Sequence, residues 1–235
     1  MRKLITERGI VVSCQAYEGE PLYGPNYMAE MAKAAELGGA IGIRANGVAD
    51  IFVMKQFIQV PIIGLNKRKT SGCDVYITPT LEDALAVFAA GADIIAIDGT
   101  DRTRPDGRSL ADTVKELKAR NIPVMADIST YEEGIFAAEL GVDYISTTLS
   151  GYTPYSPQTR EPDIELVAQL VSSVPVPVVA EGKYSQPSEV NRALDAGAQF
   201  AVIGGAITRP QHITERFIQA LSIHTEPSNE GSHVT

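Results

Sequence analysis

The feature that most constrains the fold is the regular alternation of short apolar runs with longer stretches of helical periodicity. The apolar runs are rich in Val, Ile and Ala and lack polar alternation, which is typical of strands buried on both faces of a parallel sheet. Eight runs occur, at residues 10–14, 40–43, 61–65, 94–97, 123–126, 144–147, 177–180 and 200–203. Eight helical patterns follow them, at residues 25–37, 47–57, 80–90, 109–120, 130–140, 162–172, 187–196 and 210–221.

Glycine recurs where a helical pattern gives way to the next apolar run. The segments 36–40, 89–93, 139–143 and 195–198 each place a glycine there, as a left-handed helix C-cap requires. Eight such β/α units predict a single-domain (β/α)8 TIM barrel of the phosphate-binding type over residues 1–222. A short run at 75–78 is interpreted as a decoration of the third βα loop. Residues 223–235 are polar with Pro and Gly, and we expect a disordered tail.

Composition limits the partners of the chain. A net charge of −9 and a pI near 4.9 argue against general binding to nucleic acid or to an anionic membrane surface. Two cysteines cannot form a disulfide framework or a spaced metal cluster. No apolar run approaches the ~18 residues of a membrane span, and the N-terminus lacks a signal-peptide core. The sequence therefore predicts a cytoplasmic protein acting on a small molecule.

Histidine usage bears on the chemistry. The three histidines are His212, His224 and His233, so none precedes the eighth apolar run. A His-rich metal site in a barrel would draw ligands from several strand ends, so zinc or iron catalysis is not expected. We predict no cofactor, and acid–base chemistry is left to Lys, Asp, Glu, Tyr or Cys. Cys14 lies within a strand and is expected to be packed.

Chemistry in a TIM barrel occurs at the C-terminal ends of the strands, where this chain carries a series of polar residues and glycines. Lys67 is the first charged residue after the third run, and a desolvated lysine there can act as a base or as a Schiff-base nucleophile. Glu181 can be a catalytic carboxylate or the ionic partner of Lys67 or Arg44. The candidates are Gln15, Arg44, Lys67, Asp98, Asp127, Thr147, Thr148, Glu181, Gly204 and Gly205.

The loops after the seventh and eighth strands are the frequent phosphate sites of this fold. Glycines let the backbone approach a phosphate closely, and a helix N-terminus offers unpaired N–H donors. Pro210 can begin the last helix, and the guanidinium of Arg209 before it can bind a phosphate through two N–H donors. The sequence predicts a phosphate site composed of Gly182, Lys183, Gly204, Gly205 and Arg209.

The loop after the sixth strand, residues 146–155, is rich in hydroxyl groups and tyrosine. It suits a polyhydroxylated ligand or a lid, and a loop of packed tyrosines fits equally well. Thr148 and Tyr155 are its candidate substrate-binding residues. Gln15 and Asp127 are candidate binders of hydroxyl or amide groups, and Asp98 has either a structural or a substrate role.

At these positions the chain resembles the N-acetylmannosamine-6-phosphate 2-epimerases. The resemblance spans about residues 9–220 and includes segments at each strand end. The segments are Ser13-Cys14-Gln15-Ala16, Ile43-Arg44-Ala45, Ile62-Ile63-Gly64, Lys67-Arg68, Tyr76-Ile77-Thr78-Pro79-Thr80, Ala126-Asp127-Ile128-Ser129-Thr130, residues 146–155, Ala180-Glu181-Gly182 and residues 204–210. Lys69-Thr70-Ser71-Gly72 departs from the more acidic or aromatic segment expected there.

The resemblance implies a TIM barrel that interconverts N-acetylmannosamine 6-phosphate and N-acetylglucosamine 6-phosphate in sialic acid or amino-sugar catabolism. It implies metal-free acid–base chemistry at C2 and a homodimer. On matched positions, Lys67 would be the acid/base and Glu181 its neighbouring carboxylate. Gln15, Arg44 and Asp127 would surround the sugar, with Arg209 and the loop glycines on the phosphate.

The residues leave two other functions open. A class I aldolase acting on a phosphorylated keto acid or sugar would use Lys67 as its Schiff base and Glu181 to move protons. A sugar-phosphate sensor on a barrel scaffold would bind ligand without chemistry. The sensor leaves the lysine and carboxylate at the strand ends unexplained.

Overall fold

The computed structural model describes residues 3–221, which form a closed barrel of eight parallel strands in sequence order. The TIM barrel prediction is confirmed. Residues 223–235, predicted to be a disordered tail, lie outside the described residues. The strands are β1 (Ile10–Cys14), β2 (Gly42–Asn46), β3 (Ile62–Leu65), β4 (Ile94–Asp98), β5 (Val124–Asp127), β6 (Tyr144–Ser146), β7 (Val178–Glu181) and β8 (Phe200–Ile203).

The helices follow the predicted patterns closely. Thr80, Ser109 and Thr130 are N-caps whose hydroxyls accept a backbone N–H, so these helices begin one residue later than predicted. Two short elements were not predicted: a 3-10 turn at Thr147–Leu149 and a one-turn helix after β8. The helices are α1 (Pro25–Leu37), α2 (Val48–Phe57), α3 (Leu81–Ala90), α4 (Leu110–Ala119), α5 (Tyr131–Glu139), α6 (Ile164–Ser173), α7 (Pro187–Asp195), α8 (Gly205–Thr208) and α9 (Pro210–Ala220).

Several strands extend further than predicted, to include the polar residue at the end of the apolar run. β4, β5 and β7 end on Asp98, Asp127 and Glu181, and Asp98 pairs with Asp127 in the ladder. A strand predicted from hydropathy ends before the first charged residue, whereas the hydrogen bonds between neighbouring strands continue through that residue. The carboxylates are therefore fixed by the sheet itself.

The core has two layers, as expected for strands buried on both faces. One layer fills the barrel and includes Ile63, Met125 and Phe200, and the other lies between the sheet and the helices. Gly64 allows β3 to pack closely against Ala92 in the outer layer, because a Cβ at residue 64 would lie 2.5 Å from Ala92 Cβ. Gly91 confirms the predicted left-handed C-cap, with φ of 119°.

The third βα loop carries the predicted decoration. Lys67 and Ile77 form an antiparallel bridge, and Thr70 pairs with Cys73. Ile77 is buried, and the Thr78 hydroxyl donates to the Ala96 carbonyl at 2.6 Å. These contacts attach the loop to the barrel and so restrain the backbone of Lys67. No helix within residues 3–221 is long and apolar enough to cross a membrane.

Candidate active site

A cavity of about 510 Å³ opens at the C-terminal end of the strands. Tyr17, Tyr76, Tyr152 and His212 also line it, although none of them was among the predicted site residues. Most of the predicted site residues meet in its wall: Gln15, Arg44, Lys67, Thr148, Glu181, Gly182, Lys183, Gly204 and Gly205. The strand-end polar residues are thereby brought into one concave site.

Arg44 is the centre of a buried charge network. Its guanidinium is 1% exposed and binds Asp127 through two contacts, Nη1–Oδ1 at 3.1 Å and Nη2–Oδ2 at 2.5 Å. Nη1 also lies 2.8 Å from Glu181 Oε2. One cation is thus shared by two carboxylates, and buried charges require such pairing. The sequence left Lys67 and Arg44 open as ionic partners of Glu181, and in the structure the partner is Arg44.

The network shifts the proton affinities of its members. Burial raises the pKa of Glu181 to about 7, with Arg44 opposing the rise and the negative charge of Asp127 adding to it. Burial alone would lower the pKa of Arg44, but Asp127 and Glu181 raise it well above its ordinary value. Arg44 therefore stays charged, while Glu181 can exchange a proton near neutral pH.

Lys67 lies at the edge of this network. Its backbone N–H donates to Asn46 Oδ1 at 2.7 Å, which anchors the residue at the end of β2 and β3. Its Nζ donates to the Tyr17 hydroxyl at 3.3 Å, and among residues 3–221 it forms no ion pair. Burial would raise the pKa of Tyr17, but the cations of Lys67 and Arg209 lower it overall. Lys67 is thus held by a hydroxyl rather than by a carboxylate.

Gln15 and Thr148 present polar groups to the same cavity. The Thr148 hydroxyl donates to Asp127 Oδ1 at 2.7 Å, so Asp127 lies behind Thr148 and Arg44 and does not itself line the cavity. Gln15 Nε2 donates to Ser13 Oγ at 2.9 Å, and its buried Oε1 has no partner among the described residues. Buried polar atoms are normally paired, so Gln15 Oε1 is suited to accept a hydrogen bond from a ligand.

Four of the five predicted phosphate-binding residues line the same cavity. Gly204 caps α8 and Gly205 is its first residue, so the backbone turns sharply at the mouth. Arg209 does not line the cavity, but its Nη1 would be 3.5 Å from a Cβ at Gly205. Lys183 lines the cavity with φ of 63°, and its ammonium donates to the Thr159 carbonyl and lies 5.2 Å from the Tyr152 ring centroid.

Some predicted residues lie elsewhere. The Tyr155 hydroxyl donates to Glu133 Oε1 at 2.8 Å, and the structure does not bring this side chain into the cavity. Asp98 is buried and bonded to Thr100 and Arg102, which is the structural alternative of its two predicted roles. Cys14 is fully buried, as predicted, and burial raises the pKa of its thiol to about 12.

The residues that sequence reasoning missed belong mainly to the β1–α1 loop. Tyr17 contacts Lys67, and Glu20 forms an ion pair with Arg209. The signal available was the length of this loop, since the residues between β1 and α1 must cross the mouth of the barrel. Within residues 3–221, no three His, Cys, Asp or Glu side chains are placed to hold a metal ion.

Comparison with known proteins places the chain among relatives of one kind. Residues 28–223 match the family model described as "Putative N-acetylmannosamine-6-phosphate epimerase". A relative named "Putative N-acetylmannosamine-6-phosphate 2-epimerase" in Caldanaerobacter subterraneus subsp. tengcongensis is 54% identical, with 90% of each chain covered. One of the same name in Clostridioides difficile is 47% identical, with 92% of this chain and 96% of the relative covered.

A solved structure gives the same result. The N-acetylmannosamine-6-phosphate 2-epimerase from Clostridium perfringens superposes with a TM-score of 0.89 at 47% identity, covering 92% of this chain and 95% of that one. The family model matches the barrel from α1 onward, and the first of these relatives is aligned over 90% of this chain. This chain belongs to the N-acetylmannosamine-6-phosphate 2-epimerase family.

Proposed function

We propose that this chain is an isomerase that interconverts N-acetylmannosamine 6-phosphate and N-acetylglucosamine 6-phosphate by removing and returning the proton at C2. The observation that carries the proposal is that Lys67, which forms no ion pair among the described residues, lines the same cavity as the buried pair of Arg44 and Glu181. A glycine turn suited to phosphate lies in the same cavity. Family membership supplies the substrate pair.

The chemistry follows from the acidity of the substrate. A proton at C2 becomes removable when the sugar is in its open-chain form, because an aldehyde at C1 can accept the electron pair of the C–H bond. Lys67 Nζ takes that proton, the pair forms a C1–C2 double bond, and the negative charge develops on the C1 oxygen. A proton returned to the opposite face of this planar enolate, from Lys67 or from a group linked to Glu181, restores the aldehyde and inverts C2.

Glu181 is suited to stabilise the negative charge that develops on the C1 oxygen. With its pKa near 7, a substantial fraction of this carboxyl is protonated at neutral pH and can donate a hydrogen bond to the C1 oxygen. Arg44 holds Oε2 of Glu181 in place. Asp127 acts through Arg44 and Thr148, to which it is bonded.

Arg209, Lys183 and the glycines Gly182, Gly204 and Gly205 are proposed to bind the 6-phosphate. Backbone N–H groups at such a turn suit an anion, and Arg209 adds charge beside Gly205. Binding energy at this remote phosphate would position C2 against Lys67. Gln15 and Thr148 are proposed to contact the sugar between the two ends.

We further propose a cytoplasmic homodimer that serves sialic acid or amino-sugar catabolism. α9 buries none of its described side chains, and Phe217 and Ile218 are 70% and 60% exposed. Apolar groups of this size favour burial against a partner surface. Sedimentation velocity of the wild type and of Phe217→Asp tests this: a dimer that dissociates in the variant supports it, and a monomeric wild type contradicts it.

The test of function is proton NMR of purified protein with N-acetylmannosamine 6-phosphate in D2O. We expect N-acetylglucosamine 6-phosphate to appear with deuterium at C2. Borohydride treatment of the reaction mixture should leave Lys67 unmodified. Binding without interconversion would favour the sensor, and a trapped adduct on Lys67 would favour the aldolase.

A further inference from the structure

Glu20, in the loop between β1 and α1, shares its carboxylate among three donors. Oε1 accepts from Arg209 Nε at 2.9 Å, and Oε2 accepts from Arg209 Nη2 at 3.3 Å. Oε2 also accepts from the backbone N–H of Tyr17 at 2.7 Å. The contact joins the first βα loop to the start of α9, which are 189 residues apart in sequence.

The geometry of Arg209 shows which part of the guanidinium is occupied. Glu20 binds the edge formed by Nε and Nη2. The remaining nitrogen, Nη1, faces the glycine turn, since a Cβ at Gly205 would lie 3.5 Å from it. A planar guanidinium has donors on both edges, so an anion at Gly205 can be bound while Glu20 keeps its own edge.

The guanidinium of Arg209 has a second contact, with the ring of Tyr17. Arg209 Cζ lies 5.2 Å from the centroid of the Tyr17 ring, and the backbone of Tyr17 is itself bonded to Glu20. The arginine and Glu20 side chains are only 21% and 23% exposed. A long side chain restrained at one edge and on one face loses less rotamer freedom when a ligand binds the other edge.

We propose that Glu20 is a positioning residue for the phosphate of the substrate: it holds Arg209 so that the Nη1 edge faces the glycine turn at Gly204 and Gly205. The proposal rests on the proposed function, in which that turn binds the 6-phosphate. Glu20 acts through Arg209 and does not touch the substrate. The opposing possibility is that its negative charge competes with the phosphate for Arg209, and the two effects on affinity have opposite signs.

The test is calorimetric binding of N-acetylmannosamine 6-phosphate, inorganic phosphate and unphosphorylated N-acetylmannosamine, with kcat and KM measured in parallel. Glu20→Gln keeps the size of the side chain and removes its charge. Glu18→Gln is the matched control, because Glu18 is exposed in the same loop. We expect Glu20→Gln to weaken both phosphate-bearing ligands on the order of tenfold, about 1.4 kcal/mol, with kcat little changed.

Each outcome has a defined consequence. Tighter binding by Glu20→Gln, or no change relative to Glu18→Gln, overturns the proposal, as does equal weakening of the unphosphorylated sugar. In an Arg209→Ala background, Glu20→Gln should cause no further loss, since the residue it positions is gone. A wild type that binds phosphate but does not turn over contradicts the proposed function alone. A wild type that binds none of the phosphate-bearing ligands contradicts both.

Discussion

The two ends of the cavity hold their cations differently. At one end, Arg44 is 1% exposed and is bound by Asp127, which is fully buried, and by Glu181. At the other end, Arg209 is 21% exposed, its carboxylate partner is 23% exposed, and glycines supply the turn beside it. One cation is part of the barrel sheet, and the other lies on a loop at its rim.

The difference corresponds to what each end must do. Charge that develops in a transition state is stabilised best by groups already fixed in a water-poor site, as at Arg44 and Glu181. A phosphate is charged before it binds, so backbone donors and a partly exposed cation suffice for it. We therefore expect changes at the Arg44 end to affect chemistry and stability, and changes at the Arg209 end to affect binding.

The largest effect is expected for Lys67→Ala. Removing the proposed base should lower kcat by roughly 10³-fold while KM changes little, because general acid–base groups contribute to the chemical step. Steady-state kinetics of epimerisation provide the measurement. Lys69→Ala, an exposed lysine in the same basic run, is the control and should behave like wild type. Near-normal turnover by Lys67→Ala would remove this residue from the mechanism.

Arg44→Met should destabilise the fold by about 3–5 kcal/mol, because it leaves the carboxylates of Asp127 and Glu181 buried without their cation. Arg209→Ala should cost less, about 1 kcal/mol, because its ion pair with Glu20 lies at the rim and stays partly accessible to solvent. Urea unfolding at pH 7.5 measures both. Equal losses in the two variants would abolish the distinction between the two ends.

Glu181 should make stability depend on pH near neutrality. Its pKa is raised from 4.5 to about 7, so the folded state retains a proton that the unfolded state releases. Its contribution to the free energy of unfolding is therefore fully present below about pH 4.5 and is lost as pH rises through about 7. The stability of the wild type relative to Glu181→Gln should fall between pH 5.5 and pH 7.5. A constant value over that range would show that Glu181 does not titrate there.

Of the four substitutions, Arg209→Ala should have the smallest effect on the chemical step. We expect KM for the phosphorylated sugar to rise about tenfold while kcat at saturation stays within about threefold of wild type. Loss of one guanidinium from the phosphate site weakens the binding of the substrate and of the transition state alike, so it raises KM and changes kcat little. A variant with normal KM and low kcat would reverse the proposed division of labour.

Periodicity and strand-end position were enough to predict the barrel and to bring Gln15, Arg44, Lys67 and Glu181 to one mouth. The reason is geometric, because all strands of a parallel barrel end at the same face. The burial of Asp127 behind Arg44 was not predictable in this way, since it depends on where side chains point within the last rung of the sheet.

The loops were the harder part. The pairing of Glu20 with Arg209 joins segments that no repeat or spacing relates, and the one-turn helix Gly205–Thr208 is too short to show periodicity. Tyr155 was placed in the site because its loop follows a strand, but its side chain turns to Glu133 instead. Loop side chains depend on local turns and on tertiary contacts, for which hydropathy has no signal.

The most direct test of the account is deuterium incorporation at C2, followed by proton NMR in D2O with saturating N-acetylmannosamine 6-phosphate, for wild type, Lys67→Ala and Arg209→Ala. We predict incorporation together with epimerisation in the wild type, a similar rate in Arg209→Ala, and a rate lower by roughly 10³-fold in Lys67→Ala. Incorporation by Lys67→Ala at a near-wild-type rate, or equal loss in both variants, would contradict the separation of chemistry from phosphate binding.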